Sequence, residues 1–258
     1  MGQKNLSFKN KLISLFAIIM RRFHPRGSMR LARFLYHPDK RLNDYFETII
    51  CIDGMAVNIS TNSYIEWCAF FFKYYEKDIT DLIKKYVKKN FVCVDVGANI
   101  GLHTLSMSQL AKKVYAIEPV DFLMSRLQKN CLLNNISNVS FLSCAVDDRS
   151  GFTDFFLPSE DSTHKGIGSL YQDHARGVKI KVERKTLDIL FPDECIDFIK
   201  IDTEGNDSRV LLGGRKLLQR CHPIIIFEKS TKDNFDYSFL KDFGYTLTKV
   251  GKENIFAV

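Results

Sequence analysis

The sequence predicts an α/β protein built on a mainly parallel sheet, with an extension ahead of it. Three observations carry this. Phe91–Thr104 is a short, β-branched apolar run, then a glycine turn, then the start of a helix. After it, apolar strands and amphipathic helices alternate along the chain. Four of those strands end in acids, at Asp95, Glu118, Asp202 with Glu204, and Glu228. Parallel strands bring their carboxyl ends to one edge, so these groups are expected to converge.

Residues 1–24 hold a basic start (Lys4, Lys9, Lys11), an apolar patch from Leu12 to Met20, and Arg21-Arg22. The patch is too short to span a bilayer. Two arginines and no small-residue cleavage site follow it, which argues against a signal peptide. An amphipathic helix is expected, docked on the protein's own core or lying on an anionic membrane through residues 4–22. His24–Gly27 is a break, and residues 28–47 are helical in part. Thr48–Ile52 and Met55–Ile59 around Asp53-Gly54 form a hairpin. Residues 62–89 are predicted as helical, with Trp67, Phe70, Phe71, Phe72, Tyr74 and Tyr75 as core, and Glu76 begins the last helix before the central strand.

The first helix of the α/β part should run from about Gly101 to Lys112, and Lys113–Pro119 is the second strand. A helix over Phe122–Asn134 and a third strand over Val139–Val146 follow. Residues 151–182 look like an inserted pair of strands with a polar loop over Ser159–Gly168, a candidate substrate lid. Ile196–Gly205 is the fourth strand, residues 207–220 a helix interrupted by Gly213-Gly214, and Pro223–Glu228 the fifth strand. Tyr245–Val250 and Ile255–Val258 close the chain as a hairpin. The expected organisation is an N-terminal extension over 1–60 and an α/β domain over 61–258.

The chain has 258 residues, 45% of them hydrophobic, enough for one sizeable core and against disorder. Its seven cysteines form no C-x-x-C pair and mostly sit in apolar runs. They are read as reduced thiols of a cytosolic protein, not disulfides or zinc ligands. The net charge of +7 is attributed to solvated helix faces such as Lys84-Lys85 and Lys88-Lys89 before nucleic acid or membrane.

The glycine spacing separates two cofactor classes. A dinucleotide turn wants G-x-G-x-x-G, but here the pattern is Gly97-x-Asn99-x-Gly101 with no third glycine. Asp95 beside the turn would repel a pyrophosphate, yet suits a cationic amino acid or a ribose. S-adenosylmethionine carries both and no phosphate. The glycines are expected to turn the backbone and admit a ligand, and the helix N-terminus to offer N–H groups to an anionic group. Glu118, about 20 residues beyond the turn, is placed to hold ribose hydroxyls. Lys200 is the odd residue in an apolar strand and needs an acid partner: Asp202, Glu204 or Glu228.

These residues resemble the FkbM-type family of S-adenosylmethionine-dependent methyltransferases. The match lies in Val94–Gly101, Ile117-Glu118-Pro119, Thr186-Leu187-Asp188, and Ile199–Gly205, with Leu211–Gly214 and Ile226–Glu228 after them. Tyr75-Glu76 fits the family's Tyr-Glu before the first strand. The resemblance implies a class I methyltransferase fold, a Rossmann-like, seven-stranded sheet ending in an antiparallel hairpin. It also implies O-methylation of a hydroxyl on a sugar, glycan or related small molecule. Asp95, Gly97, Asn99 and Gly101 would line the methionine part of the cofactor, Glu118 with Pro119 the ribose, and residues near Ala145 the adenine. Glu76 is added to the cofactor set. Asp202 and Glu204 would face the substrate beside Lys200, with Asp202 the first choice of base, Glu204 the second and His103 the third.

Rival readings are a scaffold on a methyltransferase fold and a nucleic-acid methyltransferase. The latter lacks both an Asn/Asp-Pro-Pro-Tyr element and a Pro-Cys nucleophile in this chain. Acids facing the substrate would also repel phosphate. Glycine spacing disfavours a nicotinamide enzyme. Carboxylates suit magnesium, but no His/Cys spacing supports a transition metal, and no metal is expected.

Overall fold

A computed structural model of the chain describes residues 8–23, 27–36, 45–61, 63–157, 170, 177–229 and 235–258. The break expected at residues 24–26 and the polar loop expected over 159–168 lie outside the described residues. Contacts group the chain into two compact units that divide between Tyr75 and Glu76, whereas the sequence placed the boundary near residue 60. The aromatic helix assigned to the second domain belongs to the first unit because its large side chains pack there.

The first unit contains α1 (Phe8–Phe23), α2 (Ser28–Leu35), β1 (Glu47–Ile52), β2 (Met55–Ser60) and α3 (Tyr64–Phe72). β1 and β2 form the expected antiparallel hairpin. Asp53 and Gly54 both have positive φ, 49° and 81°, as a two-residue turn with the twist of the strands requires. In α3 every residue from Ile65 to Phe72 is buried. Phe16 of α1 meets Phe71 edge-on, Trp67 Nε1 donates to the Tyr36 carbonyl at 2.9 Å, and Arg21 Nε donates to the Phe70 carbonyl at 2.8 Å.

The helical stretch expected over 62–89 is two helices, and the last one begins after Glu76 as expected. α3 ends at Lys73, which is left-handed at φ 62°. The chain resumes as α4 (Lys77–Tyr86) after Glu76, also left-handed at φ 49°.

The second unit adds β3 (Val92–Val96), α5 (Leu102–Ser108), β4 (Lys113–Ile117), α6 (Asp121–Leu133), β5 (Val139–Leu142), β6 (Ala145–Val146), β7 (Gly151–Phe156) and β8 (Lys179–Lys185). It continues with α7 (Leu187–Leu190), β9 (Phe198–Ile201), α8 (Asp207–Leu212), α9 (Arg215–Cys221), β10 (Ile224–Glu228), α10 (Ser238–Asp242), β11 (Leu247–Val250) and β12 (Asn254–Ala257). Seven strands form one sheet in the order β11-β12-β10-β9-β3-β4-β5. β3, β4, β5, β9 and β10 pair in parallel, while β12 runs antiparallel between β10 and β11.

Side chains alternate across this sheet. Val94, Val96, Ile199, Ile201, Ile225 and Phe227 pack on one face with α8, α9 and α10. Cys93, Phe198 and Ile226 pack on the other with Ile79 and Ile83 of α4 and Met107 of α5.

Two elements differ from expectation. α5 stops at Ser108 rather than near Lys112, because the Asn138 side-chain amide takes up the carbonyls of Ser108 and Ala111 at 2.9 and 3.1 Å. The third strand divides at Ser143-Cys144: β5 stays in the large sheet, while Ala145-Val146 pairs with β8 in a three-stranded sheet with β7. β7 and β8 are the paired strands expected of the insertion. Asp147, at the end of β6, is buried and held by Arg184 at 2.7 Å and by Arg209 of α8 at 2.7 Å.

Part of the motif pattern is architecture. The Asp188 carboxylate accepts from the Lys216 and Leu217 backbone N–H groups at 3.2 and 2.8 Å, capping α9, and its own N–H donates to the Gly213 carbonyl.

Candidate active site

The site is built where β3 meets β9. Register sets Asp95 directly beside Lys200 on the neighbouring strand. Alternation turns both into the face lined by α4 and α5, where Asp95 is fully buried and Lys200 nearly so. The Lys200 ammonium lies 3.4 Å from Asp95 Oδ1 and 3.2 Å from Asp202 Oδ2, and donates to the Gly97 carbonyl at 3.4 Å. The other Asp95 oxygen accepts from the Thr104 hydroxyl at 2.6 Å. Burial alone would lower the Lys200 pKa, but Asp202, Asp95 and Glu76 outweigh it and raise it, so the ammonium stays charged. Of the partners expected for Lys200, Asp202 is found; Asp95 is the second, and the apolar strand pattern hid it.

The turn after β3 is closed on itself. Gly97 and Ala98 N–H both donate to the Ile117 carbonyl, Asn99 N–H to Glu118 Oε2 at 2.9 Å, Ile100 N–H to Asn99 Oδ1 at 2.8 Å, and Gly101 N–H to the Ala98 carbonyl. Five successive backbone donors are therefore engaged within the protein. The turn itself is thus not a phosphate cradle, and the helix N–H groups expected to meet an anionic group are those of the first turn of α5 beyond it.

Gly97, at φ 77°, has a structural duty too. A Cβ there would stand 1.9 Å from the Asp202 carbonyl oxygen, so close contact with the residue that follows β9 already demands glycine. Gly101 precedes α5 and lies against Leu127 of α6, and Asn130 of α6 donates to the Ile100 carbonyl at 2.9 Å.

Glu118 ends β4 and is buried beneath the turn. Its second oxygen accepts from Val120 N–H at 3.1 Å across Pro119. Burial pushes its pKa up to about 7 against those two hydrogen bonds. Each oxygen accepts one backbone N–H and keeps a lone pair, an arrangement that suits hydroxyl donors and repels phosphate.

A second group of acids gathers around Asp202. Glu204, at φ 54°, is raised to about 8 by burial and then by Asp202 and Glu228. Glu228 is raised to about 8 by burial, Asp202 and Asp207. Glu76 reaches about 7 by burial and Asp202, offset by Lys200, and accepts from Asn254 Nδ2 at 3.4 Å. Glu76 therefore stands in the field of Asp202 and Lys200.

Asp207 was not foreseen. It is buried, accepts from Thr203 N–H at 2.9 Å and from Glu228 N–H at 2.8 Å, and is raised to about 6 by burial. It thus fixes the loop that carries Glu204. Its only sequence signal was an acid at the start of a helix.

His103 is buried in α5, and the hydroxyl that reaches Asp95 is that of the next residue, Thr104. Ala145 is buried in β6, whose end is tied down by Asn206 Nδ2 on the Val146 carbonyl at 2.9 Å. Among the described residues no group of three His, Cys, Asp or Glu side chains has the geometry to hold a metal ion.

The methyltransferase FkbM domain family matches residues 95–250. No curated protein matches the chain in sequence. Among solved structures, a methyltransferase FkbM from Methylobacillus flagellatus aligns at 16% identity and a TM-score of 0.49, over 66% of this chain and 44% of its own length. The chain thus spans less than half of that protein. An rRNA methylase from Streptococcus thermophilus aligns at 14% identity and a TM-score of 0.42, over 69% of this chain and 91% of its own. A tRNA (uracil-54, C5)-methyltransferase from Pyrococcus abyssi, in complex with S-adenosyl-L-homocysteine, aligns at 12% identity and a TM-score of 0.45, over 82% and 44%.

Proposed function

The chain belongs to the FkbM family of methyltransferases, and from that premise we propose that it methylates a hydroxyl of a sugar, glycan or related small molecule, in the cytosol. The cofactor of the family is S-adenosylmethionine. The donor set suits it: a carboxylate at Glu118 with a lone pair left on each oxygen, and a turn whose five N–H groups are already spent, favour a ligand with a ribose over one with a pyrophosphate. Asp95, Gly97, Asn99 and Gly101 would border its methionine part, Glu118 and Pro119 its ribose, and Ala145 its adenine. When bound, the cofactor supplies an electrophilic methyl group.

The chain's own residues would position the acceptor and take its proton. The observation that carries the reading is the group of acids around Lys200. Asp202 is engaged by that ammonium at 3.2 Å, which fixes its carboxylate as an acceptor for a substrate hydroxyl. Glu204, with its pKa pushed up to about 8, is the better proton acceptor near neutrality. We therefore assign Glu204 as base and Asp202 as orienter, reversing the order the sequence suggested. His103, buried in α5, takes no part in this scheme. Most of the acceleration would come from holding the hydroxyl oxygen within about 3–3.5 Å of the methyl carbon. The acids around Asp202 disfavour a polyphosphate acceptor such as RNA. The seven cysteines are free thiols in the structure, which accords with a reducing compartment.

The test is calorimetry with S-adenosylmethionine, S-adenosylhomocysteine and NAD, followed by transfer of labelled methyl to a panel of free sugars and glycans. Binding of the two methionine derivatives alone, lost in Glu118→Ala, is the expected result. Label appearing on RNA and on no hydroxylated small molecule would overturn the acceptor class. Binding of NAD alone would overturn the cofactor.

A further inference from the structure

Charge is distributed unevenly along this chain. Residues 1–38 contain eight of its 37 lysines and arginines and none of its 30 acids. The remaining residues hold 29 cations against 30 acids, so the whole net positive charge comes from this segment and not from helix faces such as Lys84-Lys85 and Lys88-Lys89, whose cations are balanced by acids elsewhere. The described helices of the segment also expose apolar side chains.

On α1, Ala17 and Met20 are buried and Phe16 meets Phe71, which fixes the inner face. The outer face shows Leu12, Leu15, Ile18 and Ile19, each about half exposed, at spacings of three, six and seven residues from the first. These share one side of a helix. Exposed Lys11 and Arg22 stand near its two ends.

α2 repeats the arrangement. Ala32 and Tyr36 are buried, the Tyr36 ring lying against Phe71, while Leu31 is 43% and Phe34 85% exposed with Arg30 and Arg33 between and beside them. A phenylalanine that exposed is unusual on a soluble surface, and here it belongs to a set.

We propose that α1 and α2 form a docking surface for an anionic lipid bilayer. Charge complementarity selects the partner: apolar side chains enter the acyl boundary while the arginines and lysine at their edges reach anionic headgroups. No helix among the described residues is long and apolar enough to cross a membrane, and α1 has 16 residues, so the contact is in the plane of the interface. The helices are already anchored on α3 through their other faces, so binding needs no unfolding of this unit.

The experiment is flotation of the full chain with vesicles of phosphatidylcholine alone or with about 30% phosphatidylserine. Flotation only with the anionic vesicles, reversed by raising salt to about 0.5 M, is expected. Ile18→Ser/Phe34→Ser, both at exposed positions, should keep the melting temperature and weaken flotation by about tenfold or more. Arg22→Glu/Arg30→Glu should do the same, at about fivefold for each cation removed, and serves if the first variant misfolds. No flotation with anionic vesicles, or flotation indifferent to both variants, overturns the proposal. So does a dimer in solution that Ile18→Ser/Phe34→Ser dissolves, which would give the face to a second copy of the chain, and so does retention by RNA that the charge variant abolishes.

Discussion

The α-carbon of Gly97 and the carbonyl oxygen of Asp202 sit so close that a methyl group on the glycine would be 1.9 Å from that oxygen. The contact welds the turn after β3 to the tip of β9, and hence the proposed cofactor side of the site to its acceptor side. Gly97→Ala should cost about 3 kcal/mol or more, from the clash together with a positive φ. A urea titration measures this, and cofactor affinity by calorimetry should fall with it.

Lys200 neutralises a carboxylate that has no access to water. Lys200→Met removes the ammonium and leaves Asp95 buried beside it, and should destabilise the protein by about 3–5 kcal/mol. Adding Asp95→Asn should recover a substantial part of that loss, because the uncompensated charge disappears. The denaturant midpoint of the three proteins reports the difference. Additive losses would show that the two groups do not form a unit.

Stability should fall as pH rises from about 5 to about 8. Glu76 and Glu118 titrate near 7, Asp207 near 6, and Glu204 and Glu228 near 8, all above the ordinary values of 4.5 and 3.8. Between the unfolded and folded values the native state holds more protons than the unfolded chain, so raising the pH favours unfolding. The raised Lys200 adds no slope here, since its contribution is complete below its ordinary value. Asp148 works the other way: Arg209 and Arg149 outweigh burial and lower its pKa, so its contribution is lost only in stronger acid. The melting temperature should be several degrees higher at pH 5.5 than at pH 8, and Glu118→Gln should flatten the part of that slope below about pH 7.

The rate of methyl transfer should run against stability and rise with pH, levelling near the Glu204 value of about 8. Glu204→Gln should lower kcat by about 10²–10⁴ and remove this rise, with cofactor affinity unchanged. Asp202→Asn should raise KM as well as lower kcat, as expected of an orienter. If Asp202→Asn abolishes the pH dependence and Glu204→Gln keeps it, the two roles are exchanged.

Asp188 stands in the family motif without entering the site. Asp188→Ala frees the Lys216 and Leu217 N–H groups at the start of α9 and should cost about 1 kcal/mol. Cofactor binding, measured below the melting transition, should stay at the wild-type level.

The local pattern sufficed wherever a single segment decides its own structure. Asp53-Gly54 between two apolar runs fixes a hairpin, because both turn residues need a positive φ. The apolar runs ending in Asp95, Glu118 and Glu228 identify parallel strands with acids at their carboxyl ends, and Gly213-Gly214 separates α8 from α9 as expected. Segment ends were less legible. α5 is cut short by Asn138, which is 30 residues from Ser108 in sequence, and β5 parts from β6 because Ala145-Val146 finds a partner in β8.

What the sequence by itself determined is the fold class, the order of strands and helices, and the presence of acids at one sheet edge. Periodicity and turn chemistry are properties of neighbouring residues. What only the tertiary structure decided is how those acids divide. The register of β3 against β9 sets Asp95 beside Lys200, and a shift by one residue would turn either side chain to the opposite face. The fold likewise spends the N–H groups of the turn on Ile117 and Glu118, and lets Asp207 hold the loop that carries Glu204. Each of these depends on distances between segments far apart in the chain, and burial then sets the proton affinities that give the carboxylates different roles.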